Sequence, residues 1–392
     1  MSTLEQNVGG VRFKSPIIVA AGPLTERFDL IKKASDCHAG AVVIKQTPFS
    51  EPRPGVRKMY AERGGFFFNP SDRRLNYNKC ADLVKQVKDE TDMPIFVNIL
   101  GDGDNIDSWC FLTELMQNAG ADGVELNFAC PNPPGKIGEA GKGFQYGASV
   151  SQIPELAQKI ISGIVSNAKI PVWPKFSGDG TNTTALCQAA EAAHAAGVVA
   201  FCSPRGAFPI DIYNGGRPKM ETMDVCSFGG INGPAIRQTS LRVVAQAAKA
   251  VKNLPICGGG GISRPEHAIE TIMYGASLAF IFTQIMLDGF EIIPKYNDWI
   301  LKFMEEQGYE TIDDMRGLSL QYEVQGNELD YAIGPKAHVD AEKCVGCGSC
   351  AKIGFCRAIT MKEKKAIVDC GLCESCGLCA SLCPRNAITL ID

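Results

Sequence analysis

The chain has 392 residues, 45% hydrophobic and 21% charged, and 39 Lys+Arg against 43 Asp+Glu give a formal net charge of −4. This is a globular composition with no basic footprint for nucleic acid or an anionic membrane. The longest apolar runs, Ile17–Ala21 and Leu278–Thr283, fall far short of the roughly 20 residues that span a bilayer; with no secretory signal readable at the N-terminus, a cytoplasmic protein without a membrane span is expected.

From Ile17 to about Phe282, short apolar runs rich in β-formers alternate with amphipathic helical stretches. Candidate strands are Ile17–Ala21, Ala41–Lys45, Pro94–Ile99, Gly123–Asn127, Pro171–Lys175, Val198–Phe201, Leu254–Cys257 and Leu278–Phe282. Crossover helices are predicted between them, for example over Cys80–Thr91, Pro154–Asn167, Thr184–Ala196 and Arg237–Lys252. Continuous apolar runs are what strands buried on both faces require, and eight such units fit a closed (β/α)8 TIM barrel better than an open sheet. The segment Ala20–Arg27 is not the G-x-G-x-x-G turn of a dinucleotide fold. The expected division is a barrel over residues 1–310, a linker over 311–337 that includes the polar connection Ser319–Ala337, and a small module over 338–392.

Of the 17 cysteines, nine lie between Cys344 and Cys383. In a large chain without a signal this density reads as metal ligation rather than disulfides. Cys344, Cys347 and Cys350 repeat every third residue, and Cys373, Cys376, Cys379 and Cys383-Pro384 form a C-x2-C-x2-C-x3-C-P run. In such runs the last cysteine ligates the other cluster. Two 4Fe-4S clusters are therefore expected, one on Cys344, Cys347, Cys350 and Cys383, the other on Cys373, Cys376, Cys379 and Cys356. Val339-Asp340 and Val368-Asp369 precede the two runs at the same offset, as in a duplicated bacterial-ferredoxin-like domain. Cys356 follows Cys350 at a longer spacing than the pattern has, and Cys370 has no place in it and reads as a spare buried thiol. Zinc is the structural alternative for the module.

Several predicted strands end in residues with chemical uses, where barrel active sites lie. They include Ala20-Ala21-Gly22-Pro23, Lys45-Gln46-Thr47, Asn98, Lys175-Phe176-Ser177 and the run N-F-A-C-P-N-P-P-G at Asn127–Gly135. With G-G-I-N-G-P-A-I at Gly229–Ile236, the chain resembles the dihydroorotate dehydrogenase family over about Val11–Phe282. With the cysteine module attached, it is most similar to the FMN and iron-sulfur part of dihydropyrimidine dehydrogenases, the bacterial catalytic-subunit type.

The resemblance implies FMN in the barrel mouth. Ala21 and Gly22 would face the ring, Lys45 and Lys175 its polar edge, Asn98 and Asn127 the ring or ribityl groups, and Gly230, Gly260, Gly261 and Thr283 the phosphate. Ser203 would also lie at the cofactor. For the substrate it implies Asn127 and Asn132, with Asn69 or Asn76 as a third amide. Where the family has Asn-Thr or Asn-Ser after strand six, this chain has Cys202-Ser203, followed by Arg205, which suggests a substrate with an acidic group. Cys130 is expected to be the general acid or base, since adding hydrogen across an activated C=C needs a proton beside the carbon that accepts hydride.

The expected activity is flavin-dependent reduction, or formation, of an activated C=C bond in a pyrimidine-like substrate. Dihydroorotate or another unsaturated cyclic acid is the alternative substrate, and an electron-transfer subunit with an idle barrel the alternative role. No NAD(P) site is recognisable, so a separate NAD(P)H- and FAD-binding flavoprotein subunit or a ferredoxin is the expected electron partner, in a homodimer or hetero-oligomer.

Overall fold

The computed structural model describes residues 2–52, 58–62, 66–71, 74–130, 147–178, 180–332 and 334–391; for 62 and 66–71 only the backbone is described. The chain divides into two compact units, Met1–Glu323 and Val324–Asp392.

The first unit is a closed barrel of eight parallel strands. These are β1 (Ile17–Val19), β2 (Ala41–Pro48), β3 (Ile95–Leu100), β4 (Gly123–Phe128), β5 (Val172–Phe176), β6 (Val198–Val199), β7 (Ile256–Gly259) and β8 (Leu278–Ile281). Each pairs with its sequence neighbour, and β8 closes on β1. All eight fall where the continuous apolar runs lie, because a strand with helices outside and packed side chains inside must be apolar on both faces. The helices are α1 (Phe28–Asp36), α2 (Tyr77–Glu90), α3 (Ile106–Asn118), α4 (Pro154–Val165), α5 (Thr183–Ala192), α6 (Arg237–Ala250), α7 (Pro265–Met273), α8 (Thr283–Asp288) and α9 (Ile292–Gln307). Gly308 ends α9 in the left-handed conformation. Beyond it, Ile312 and Met315 are buried against the main core, so the chain up to Glu323 is part of the barrel unit rather than a free connection.

Two apolar layers hold this unit together. One lies between strands and helices, and a smaller one fills the barrel. In the second, Phe13 stacks on Phe96 and Trp173 with ring centroids 6.2 and 6.1 Å apart, and Phe96 and Trp173 lie 4.2 Å apart. Phe96 and Trp173 stand near the starts of β3 and β5, while Phe13 comes from the hairpin Gln6–Val8 and Val11–Phe13. The three rings therefore plug the end of the barrel opposite the candidate site.

Sequence periodicity gave no hint of a small antiparallel sheet formed by segments far apart in the chain, Lys58–Glu62, Phe66–Ser71, Gly229–Asn232 and Arg205–Gly206. It joins the segment after β2 to those after β6, with Asn69 opposite Gly230 and Gly230 opposite Arg205.

The second unit has two antiparallel strand pairs, Lys336–Val339 with Ile388–Ile391 and Ile359–Lys362 with Lys365–Val368. Its core holds Ala337, Ile359, Ala366 and Ile388 together with Cys350 and Cys379. Among the described residues no helix is long and apolar enough to cross a membrane.

Removing the aromatic plug should be costly. Phe13→Ala is expected to lower unfolding stability by about 3–5 kcal/mol, and Trp173→Phe by under about 2 kcal/mol. The second cost is smaller because the buried Trp173 indole N–H has no partner among the described residues. Urea denaturation followed by circular dichroism measures both.

Candidate active site

The C-terminal ends of β2 to β5 deliver a polar cluster into the barrel mouth. The pairing of β2 with β3 shifts register between Ile44 and Thr47, a bulge at Lys45 and Gln46. Such a bulge re-aims side chains, and here both consecutive polar residues are buried.

Glu125, in the middle of β4, is fully buried, and Lys175 on β5 is its ionic partner at 3.2 Å. The same carboxylate oxygen, Oε1, accepts from Asn98 Nδ2 at 2.5 Å, and Asn98 Oδ1 in turn accepts from Asn127 Nδ2 at 2.8 Å. Oε2 of Glu125 has no hydrogen-bond partner among the described residues. Burial, the strongest influence on Lys175, pulls its ammonium down. Attraction to Glu125 and to the Cys202 sulfur, with the hydrogen bond from Nζ, outweighs it and leaves Lys175 above its ordinary value, charged at neutral pH.

Asn127 carries this chain of contacts to Cys130. Its Oδ1 accepts from the backbone N–H of Ala129 at 3.0 Å and of Cys130 at 2.7 Å, while the Cys130 carbonyl accepts from Ala148 N–H at 3.0 Å. The turn bearing the thiol is thus pinned on both sides of Cys130. Asn127 acts in the structure as a positioning residue for Cys130, with its oxygen already committed. A half-buried arginine that sequence reasoning missed, Arg74, donates from Nη2 to Cys130 Sγ at 3.0 Å and from Nε to Gln46 Oε1 at 2.8 Å.

Beside this cluster opens a cavity of about 120 Å³, walled by Ala20, Ala21, Lys175, Cys202, Ser203, Asn232, Gly259–Gly261 and Thr283 among others. Gly260 and Gly261 have φ of +124° and +78°, and a Cβ on Gly261 would meet the Arg237 backbone at 2.8 Å. Only glycine fits there, which leaves that stretch of backbone bare toward the cavity.

The other expected site residues are placed as follows. Gly22 does not line the cavity; a Cβ there would strike the Phe282 ring at 2.1 Å, so packing explains its small size. Asn76 is a helix cap: it N-caps α2, accepting from Asn78 and Lys79 N–H, and donates to Glu51 Oε2 at 2.8 Å. Arg205 is exposed on the small antiparallel sheet, and Gly230 lies in that sheet against Ser203. Ser203 donates to Asn232 Oδ1, a partner sequence reasoning did not name. Cys202 lines the cavity, and burial is the main force raising its thiol above the ordinary value, so it stays neutral. Asn132 and the side chain of Asn69 lie outside the described residues. Of the missed residues, Glu125 had a signal, since a carboxylate inside an otherwise apolar strand demands a buried partner.

In the second unit the thiols fall into two groups of four. Cys344, Cys347, Cys350 and Cys383 line one hollow, and Cys356, Cys373, Cys376 and Cys379 another. Among the described residues no three side chains of Cys, His, Asp or Glu converge on a single ion-sized point. Backbone N–H groups of Ala366 and Gly346 pull the Cys344 thiol below its ordinary value, and those of Ala337 and Ser375 do the same for Cys373. Lys365 Nζ binds the Cys344 carbonyl and Lys336 Nζ that of Cys373, so the two loops are held alike. Cys370 lines neither hollow and is exposed rather than buried.

Removing one member of the buried pair strands the other charge. Glu125→Ala is expected to cost about 3–5 kcal/mol at neutral pH, whereas the double change Glu125→Leu, Lys175→Met recovers most of that stability. Because the Lys175 value is raised on folding, the pair's contribution is complete below the unfolded lysine value of about 10.4 and is lost as pH climbs through the folded value. Denaturation midpoints at neutral and strongly alkaline pH measure this.

The family model for dihydroorotate dehydrogenase matches residues 3–304. The chain is 29% identical over 354 residues to the NAD-dependent dihydropyrimidine dehydrogenase subunit PreA of Escherichia coli (strain K12), covering 87% of this chain and 82% of that protein. It is 30% identical over 329 residues to the catalytic subunit of dihydroorotate dehydrogenase B (NAD(+)) of Pyrococcus abyssi, covering 81% of this chain and 99% of the other. The corresponding Pyrococcus furiosus subunit is 31% identical over 310 residues, 79% of this chain and 96% of its own. The chain belongs to the dihydroorotate dehydrogenase family, as an oxidoreductase acting on CH–CH bonds of pyrimidine-like substrates.

Proposed function

We propose that the chain binds FMN in the barrel mouth and reduces, or in reverse forms, the activated C=C bond of a pyrimidine-like ring, with Cys130 as the proton donor or acceptor. The observation that carries this reading is the pinned Cys130 turn beside a glycine-walled cavity with a charged lysine in its wall.

The residues present suit FMN. Ala20 and Ala21 leave space for a flat ring, Gly260 and Gly261 bare their backbone, and Thr283 adds a hydroxyl for a phosphate. Gln46 Nε2 is a buried donor with no partner among the described residues, which suits an acceptor on the cofactor. Bound there, the flavin supplies hydride transfer and exchange of one or two electrons. Lys175 on β5, with Lys45 on β2, opposes the negative charge of a reduced ring. Cys130 holds or takes a proton at Sγ, and Asn127 fixes the backbone from which that thiol is presented.

For the second unit we infer a ferredoxin-like domain with two 4Fe-4S clusters, on Cys344, Cys347, Cys350 and Cys383 and on Cys373, Cys376, Cys379 and Cys356. Thiols spread around two hollows suit polynuclear clusters better than single zinc ions. Electrons would come from a separate NAD(P)H- and FAD-binding subunit or a ferredoxin; the words "subunit" and "catalytic subunit" in the relatives' names support a partnered enzyme.

Anaerobically purified protein is expected to carry one FMN and about eight iron and eight sulfide per chain. Cys356→Ser should remove about half of the iron, and its retention would overturn the ligand set. Cys130→Ser is expected to slow C=C reduction roughly 10²- to 10⁴-fold with flavin and iron content unchanged. Turnover at the wild-type rate would overturn the role of the thiol and favour an idle barrel. Screening uracil, thymine, orotate and other unsaturated cyclic acids for reoxidation of reduced protein identifies the substrate.

A further inference from the structure

We propose that Arg74 is a further catalytic residue, one that hydrogen-bonds the substrate carbonyl oxygen conjugated to the C=C bond, on the side of the carbon that Cys130 protonates. The inference rests on Cys130 as proton donor and names a group that this reading lacked.

The geometry comes from two contacts. Nη2 of Arg74 lies 3.0 Å from Cys130 Sγ, and Nε lies 2.8 Å from Oε1 of Gln46, which is buried at the β2 bulge. The guanidinium is therefore steered by a side chain of the barrel rather than carried loosely at the surface. A thiol sulfur is a weak acceptor, so a carbonyl oxygen arriving beside it competes well for Nη2. Donors fixed in a water-poor pocket act most strongly where charge develops.

The chemistry identifies that place. In reduction of a conjugated C=C–C=O unit, the carbon remote from the carbonyl receives a hydride from the reduced flavin, which is oxidised. The π pair moves onto the adjacent carbon and the carbonyl oxygen as an enolate. That carbon then takes the proton of Cys130 Sγ, leaving a thiolate that solvent reprotonates. The carbonyl is bonded to the very carbon that Cys130 protonates, so a donor touching Sγ is within reach of the enolate oxygen. A guanidinium meets that negative charge with a charge-assisted hydrogen bond, roughly twice as strong as a neutral one. The exposed Arg205 is not in this position. The substrate class that follows is a ring whose double bond is conjugated to a carbonyl, whether or not it also bears a carboxylate.

Two measurements on the holoenzyme test this. In the first, Arg74→Gln is expected to lower kcat roughly 10²-fold with a smaller change in KM and normal flavin content, and Arg74→Lys to restore part of the loss. Wild-type kcat in Arg74→Gln, with Cys130→Ser inactive, would overturn this assignment alone. Wild-type kcat in Cys130→Ser would overturn the proton-donor reading and this assignment with it.

The second needs no substrate. Iodoacetate and iodoacetamide compete for Cys130, and site-resolved mass spectrometry gives the ratio of alkylation. Arg74 should draw the anionic reagent, so the ratio of iodoacetate to iodoacetamide is expected to fall at least about fivefold in Arg74→Gln. An unchanged ratio would show that the guanidinium presents nothing to an anion at the thiol, and the assignment would fall.

Discussion

A carboxylate sealed inside the barrel governs the candidate site. Glu125 has no exposure to water, and an ion in that environment persists only with a counter-charge and hydrogen bonds at close range. Lys175 supplies the charge and Asn98 a hydrogen bond. Once Asn98 Nδ2 is turned to the carboxylate, its oxygen is available to Asn127, and Asn127 Oδ1 then faces the backbone of Ala129 and Cys130. The placement of the Cys130 backbone thus descends, one contact at a time, from a charge that cannot reach solvent.

The barrel was legible in the sequence because its strands are apolar on both faces, and each predicted strand overlaps an observed one. β2 outlasts its predicted end at Lys45 because the bulge lets Gln46 and Thr47 stay in the strand although polar. The turn that bears Cys130 follows β4 where the run beginning at Asn127 placed it. Asn76, expected with Asn69 as an alternative substrate amide, N-caps α2, a position that Asn favours. Arg74 gave no signal, since its place depends on how the segment after β2 folds back on the mouth, a tertiary matter beyond local pattern.

In the second unit the reading was nearly all in spacing. Cysteines at three-residue intervals fix short loops whose N–H groups point at sulfur, and the paired loops repeat the same contacts from Lys336 and Lys365. Cys356 takes its place beside Cys373, Cys376 and Cys379 because the longer interval after Cys350 is absorbed in the turn before Ile359–Lys362. The exposure of Cys370 was invisible to composition, which favours burial for a spare thiol.

The small antiparallel sheet at the mouth has a consequence for how the molecule is made. The strand Phe66–Ser71 leaves the ribosome long before its neighbour Gly229–Asn232 exists, so its hydrogen-bonding edge stays open until much of the remaining barrel has been synthesised. The mouth is therefore a late-maturing region with high contact order. A nascent or truncated chain ending before β6 exposes that edge as a template for intermolecular pairing.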